Sequence, residues 1–185
     1  ALKSEKLEEN TVVVFISDNG GSPLTGANNA PLTGGKYSLW EGGIRVPLAI
    51  SWPNKIDAGK VETSYVSATD ILPTLANIAE VEVIDDTIDG INLLKPEANR
   101  LLVWKWQKTW ALRQGDWKLT NTKENHWKSE PSAQYIVPIV DNMELKLFNI
   151  AKDPGERNDF AAQHPEKVKA LEAAYKNWME LNAKK

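Results

Sequence analysis

The sequence predicts an α/β fold in two parts: the edge of a main α/β sheet over residues 1–90, then a small antiparallel sheet with a C-terminal helix over residues 91–185. Three observations predict it. The first part runs strand, long loop, strand, helix. The second part is a series of short apolar segments separated by turn residues, and it ends on an amphipathic helical stripe. Between them, from about Val81 to Asn99, acidic and turn residues dominate, which places a subdomain boundary there.

The charged opening, Ala1–Asn10, is a helix end or a linker. Thr11–Ser17 is continuously apolar and rich in β-branched residues, so a strand buried on both faces is expected. A long Gly/Pro/Asn loop follows, "NGGSPLTGANNAPLTGGKYSLWEGG"; loops of this length in compact domains are functional or disordered. Arg45–Trp52 is a second strand, in which Pro47 marks a start, bulge or edge. In "SATDILPTLANIAE", Leu72, Leu75 and Ile78 share one helical face, Ser67 or Thr69 serves as N-cap, and Pro73 falls near the first turn.

Beyond Asn99, Leu101–Trp106 is a strand, and Trp110–Arg113 pairs with Trp117–Thr120 across "QGD" as a tight hairpin. Glu144–Ile150 alternates as a half-exposed strand should. Pro165 opens a helix with Val168, Leu171, Tyr175 and Trp178 on one stripe. The crowded Trp104, Trp106, Trp110 and Trp117 are expected to fill the core of the small sheet rather than to form a stacking platform.

Composition narrows the function. The 185 residues carry 22 basic and 25 acidic side chains, so no strong field or dense basic stretch points to nucleic acid or an anionic membrane. No apolar run approaches the roughly 20 residues of a membrane span, and Ala1–Asn10 is too polar for a signal peptide. The chain has no cysteine, which excludes thiolate chemistry and cysteine-held zinc within it. Its two histidines are far apart. His126 sits in a polar stretch and His164 before a helix, as its cap, and both are read as surface residues.

The candidate site lies where the first strand gives out, at "SDNGG". Asn-Gly is a strong hairpin signal, but no alternating strand follows it. The carboxyl end of a sheet strand is where open α/β folds place ligands. Once the chain turns, adjacent side chains can converge, and Asp18 with Asn19 would offer hard oxygens suited to Ca²⁺ or Mg²⁺. Lys36, flanked by glycine in "TGGKYS", is a compact charge for an oxyanion, although a lone loop lysine is more often solvated. Arg45 is read as a structural ion-pair partner of Glu41 or another carboxylate.

Together, "VVVFISDNGG", "NAPLTGGKYSLWEGGIRVPLAISWP", "SATDILPTLANIAE", "ALRQGDWKL" and "LFNIAKDPGERNDFA" resemble, in order, the C-terminal portion of the sulfatase family, whose members share the alkaline-phosphatase-like α/β fold. The resemblance implies hydrolysis of a sulfate ester, carbohydrate or other small molecule. It implies that Asp18 and Asn19 are ligands of a divalent cation, usually calcium, and that Lys36 holds the sulfate as substrate-binding and catalytic lysine. The family's nucleophile is a formylglycine made in a C/S-x-P-x-R motif. That motif is absent from these residues, as are the early Asp ligands and active-site histidines. The segment is therefore expected to be inactive alone, and to self-associate or to need the missing N-terminal part. Two other readings stand beside this one: a phosphonate or phosphate ester hydrolase of the same superfamily, and an inactive truncated interaction module. Export to the periplasm or beyond the cell would suit the family, but no signal in this chain speaks to it.

Overall fold

The computed structural model describes residues 1–22, 25–82, 88–122 and 144–183. After a 3-10 turn at Glu8–Asn10, β1 (Val13–Ile16) pairs antiparallel with β2 (Leu48–Ser51), with Val13 opposite Ser51 and Ile16 opposite Leu48. Pro47 sits just before β2, where its missing N–H costs no ladder bond, and its carbonyl accepts the Ser17 N–H at 3.2 Å. Between the strands lies the four-residue helix α1 (Glu41–Ile44). Within the described residues the first strand, expected to be buried on both faces, is half-buried on one face and open on the other. Its residues alternate, and Val13 and Phe15 are 46% and 64% exposed. The continuous apolar run hid this alternation, because β1 has β2 as its strand partner and no described residue covers the Val13–Phe15 face.

α2 (Ile71–Ile78) is entered through a 3-10 turn, Ala68–Asp70, that carries a capping box. The Ser67 hydroxyl accepts the Thr69 N–H, and the Asp70 carboxylate accepts the Ser67 N–H at 2.7 Å. The expected apolar stripe does not face a core: Leu72 and Leu75 are exposed, and the buried residue of the helix is Thr74. Polar ties explain the orientation. Thr74 Oγ1 accepts the Leu93 N–H, Asp70 accepts the Ile91 N–H, and Arg100 pairs with Asp70 at 2.6 Å. Residues 91–100 are thereby strapped against the Thr74 face.

The second sheet has the order β3 (Leu101–Trp106), β4 (Thr109–Gln114), β5 (Trp117–Thr120), β6 (Lys146–Asn149), antiparallel throughout. The hairpin at "QGD" is present: Gln114 faces Trp117 across a two-residue turn, and Gly115 takes the positive φ (+57°) that such a turn needs. α3 (Pro165–Asn182) begins on Pro165 and lays Val168, Leu171 and Tyr175 over one face of the sheet. There Leu171 meets Trp110, Leu112, Leu119 and Leu147. Trp110 stacks on Tyr175 at 4.0 Å and 12°.

Three further expectations need correction. β6 is not half-exposed: Leu147 packs under α3, while Phe148 on the opposite face meets Trp40 edge-on at 5.4 Å. Trp110 and Trp117 join the core as expected, but Trp106 at the end of β3 is 36% exposed, beyond the cover of α3. His164 occupies the N-cap position of α3 without capping through its side chain; its ring packs against Trp117 at 5.0 Å, and its carbonyl accepts the Lys167 and Val168 N–H groups. His126 lies outside the described residues.

Candidate functional site

The chain bends at Asp18 and Asn19 immediately after β1 and makes no hairpin there. The Ser17 hydroxyl donates to the Asn19 carbonyl at 2.9 Å, and Asp18 Oδ1 accepts the Asn19 N–H at 3.0 Å. Asp18 is exposed and Asn19 half-buried, and both line a broad open groove with Tyr37, Ser38, Arg45 and Tyr65. Among the described residues, Asp18 Oδ2 and the Asn19 side-chain amide make no hydrogen bond. The two hard oxygens are therefore available, and this donor set suits a hard cation. It is also incomplete, because no group of three or more His, Cys, Asp or Glu gathers among the described residues.

Two further loops close on this bend through backbone and a single amide. Asn29 Oδ1 accepts the Gly21 N–H at 2.8 Å, while its Nδ2 donates to the Gly21 and Gly34 carbonyls at 2.9 and 3.1 Å. One side chain thus pins "DNGG" to "TGGK". The Lys36 N–H donates to the Gly21 carbonyl, the Gly20 N–H to the Gly43 carbonyl at 2.9 Å, and the Gly42 N–H to the Thr33 carbonyl at 2.7 Å. Side chains would not fit in these contacts. A Cβ on Gly20 would stand 1.7 Å from the Gly42 oxygen, and one on Gly42 would stand 2.5 Å from the Thr33 and Gly34 oxygens. Glycine here serves close approach, not an unusual φ. Lys36 itself is half-buried, with Nζ 5.5 Å from the Tyr37 ring centre; Tyr37 and Ser38, rather than Lys36, line the groove. No carboxylate among the described residues pairs with the Lys36 ammonium.

α1 is anchored by a buried ionic cluster that the sequence reading missed. Glu41 Oε1 lies 3.1 Å from Lys118 Nζ, and Oε2 lies 3.3 Å from Arg113 Nη1. Glu156 Oε2 accepts the Glu41 N–H at 2.6 Å. Glu156 Oε1 lies 2.8 Å from Lys118 Nζ but off the hydrogen-bonding direction, so the contact is ionic only. Arg113 also donates to the Gly115 carbonyl and stacks on Tyr65 at 3.4 Å. All four ionic side chains are at most 6% exposed. The expected ion pair of Arg45 with Glu41 or another carboxylate is not found among the described residues: Glu41 turns inward to two cations, and Arg45 stays exposed. Burial pushes the Glu156 carboxyl above its ordinary range, against the pull of Lys118. It also holds Arg113 below its ordinary value, although Glu41 opposes this. The alternation of β4 and β5 marks Arg113 and Lys118 as facing away from α3, but nothing local in the sequence says that Glu41 meets them.

Two outcomes follow from this packing. Gly42→Ala should destabilise the chain by about 1–3 kcal/mol or more, because the added methyl meets rigid backbone rather than a yielding side chain; a urea midpoint equal to the wild type's would overturn the close-approach account. For pH, a carboxyl with a raised folded pKa contributes stability that is complete below its unfolded pKa and is lost as pH rises through the folded value. Wild-type stability measured against Glu156→Gln should therefore be greatest in acid and decline as pH rises through the raised Glu156 pKa. Urea midpoints of both proteins across that range test it, and a wild type that gains on the variant with rising pH contradicts it.

Comparison with known proteins agrees with this architecture. The family model described as Sulfatase matches residues 1–81, which include β1, the three loops and α2. Arylsulfatase J of Mus musculus is 28% identical over 92% of this chain and 35% of its own length. A sulfatase of Formosa agariphila is 30% identical over 88% of this chain and 31% of its own. The crystal structure of Ps i-CgsB superposes with a TM-score of 0.80 at 31% identity, over 96% of this chain and 38% of that one. The PsFucS1 sulfatase from Pseudoalteromonas sp. gives 0.70 at 27% identity, over 94% and 38%. The chain spans about a third of the length of the relatives it matches. In sequence and in fold, the chain belongs to the sulfatase family.

Proposed function

We propose that this chain supplies one wall of the active site of a sulfatase, an enzyme that hydrolyses sulfate esters. The observation that carries the reading is the interlocking of three loops, "DNGG", "TGGK" and "EGGIR", in a chain of this family. Asp18 and Asn19 would hold a divalent cation, calcium or magnesium in its place, through the Asp18 carboxylate and the Asn19 amide oxygen. Bound there, the cation supplies positive charge against which a transferred sulfuryl group is stabilised. Lys36 binds a sulfate oxygen and neutralises the charge that develops as the ester bond breaks; the ammonium is unclaimed by any described carboxylate. Ps i-CgsB was solved in complex with k-i-k-neocarrahexaose, and another relative is named an N-acetylgalactosamine-6-sulfatase. A carbohydrate sulfate ester is accordingly the substrate class proposed.

The nucleophile of this reading, a formylglycine, has no source in the 185 residues, which contain no cysteine and no S-x-P-x-R. The chain by itself should therefore give no turnover of 4-nitrophenyl sulfate with calcium present; measurable hydrolysis that survives repurification overturns this. The cation site has a readout of its own. Calcium titrated into the ¹⁵N-labelled chain should shift the Asp18 and Asn19 amide resonances, weakly because the donors are few, and Asp18→Ala should abolish the shift. Resonances that ignore calcium, or that respond equally in Asp18→Ala, contradict the site.

Sheet edges and apolar faces add a proposal about partners. Both strands of the first sheet have a free edge among the described residues, and Val13, Phe15, Leu72 and Leu75 present apolar surface. Such edges and faces favour association with a further part of the enzyme or with another copy. Light scattering of the purified chain should show species heavier than 20.6 kDa that grow with concentration. A monodisperse monomer at high concentration counts against it.

A further inference from the structure

The buried ionic cluster touches the floor of the groove through Glu41 and Arg113 and is tied by backbone to the loops of the candidate site. Glu156 and Lys118 belong to the small sheet and the turn that follows it. Through the Glu41 carboxylate and the Glu41 N–H they fix the first residue of α1. The next two residues are Gly42 and Gly43, whose backbone receives Gly20 from one loop and reaches Thr33 in the other. Gly20 directly follows Asn19, and Thr33 lies in the turn that delivers Lys36. A second tie runs beside the first: the Thr33 hydroxyl donates to the carbonyl of Gly155, the neighbour of Glu156.

The apolar contact of α1 with the small sheet is small, Trp40 against Phe148 and Ile150. Two carboxylates and two cations buried together are different. Their desolvation is offset only when all four are in place, so the arrangement favours one position for α1. We infer that Glu156 and Lys118 are positioning residues of the candidate site, acting through Glu41 and the Gly42–Gly43 backbone to set the separation of the Asp18–Asn19 bend from the Lys36 loop. The inference rests on the reading of those three residues as the site. Its mechanical content concerns the loops alone, and the calcium titration described above tests the site reading separately.

Residue-resolved amide exchange of the ¹⁵N-labelled chain tests it. In Glu156→Gln, the Gly20, Lys36 and Gly42 amides should exchange about tenfold faster or more, while those of Leu112 and Leu119 change less than about threefold. Leu171→Ala, which opens the core under α3, should do the reverse, and so serves as the control for a purely structural effect. Should Glu156→Gln fail to fold, Lys118→Met with Glu156→Leu removes one charge of each sign together with the acceptor of the Glu41 N–H. It should show the same selective acceleration. Unchanged loop protection in the folded variant, uniform acceleration across loops and sheet, or equal loop acceleration in Leu171→Ala each overturns the proposal.

Discussion

The structure turns on four charges buried in one place. Glu41, Arg113, Lys118 and Glu156 bring two carboxyl and two basic side chains together, almost fully removed from water. Taking such groups out of water costs several kcal/mol per ion, and removing any one leaves the others uncompensated. A cluster of this kind adds little net stability; the role proposed for it is to favour one docking of α1 on the small sheet over others. The raised Glu156 pKa is the mark of that tension, since burial outweighs the attraction of Lys118.

What α1 transmits, it transmits by backbone. Its two glycines have no side chains to yield, so the Gly20–Gly43 and Gly42–Thr33 hydrogen bonds hold the loops at a separation set by main-chain radii. Asn29 adds the third corner with one amide group spanning Gly21 and Gly34. This construction suits the proposed site, because small displacements of charged groups cost catalysis heavily. On the groove, Asp18 is exposed and Asn19 half-buried, whereas Glu41 and Arg113, which also line it, are buried and ion-paired.

The two ends of the fold differ in how they are finished. The small sheet is covered by α3 on one face, and on the other it is packed against Trp40 and the ionic cluster. The first sheet has a single pair of strands with apolar residues in the open. Two strands with a bare face are marginal in water. The proposal that further polypeptide seats on Val13, Phe15, Leu72 and Leu75 follows from that imbalance.

Local chemistry alone determined a good deal. Short apolar segments and a Gly-Asp turn give β3, β4 and β5 within a residue or two, Ser67, one of two N-cap candidates, marks the helix entry, and Pro165 starts α3. Each of these is settled by neighbours a few residues apart. The order of the motifs was enough to indicate the family. Tertiary structure decided what faces what: that Phe15, Leu72 and Leu75 stay outside, that both faces of β6 are buried, and that Glu41 turns from Arg45 to Arg113 and Lys118. Solvation and pairing of a side chain depend on elements 70 to 120 residues away in the chain, as Glu41 does on Lys118 and Glu156. No window of sequence contains that distance, so the sequence supplied the charges and only the fold paired them.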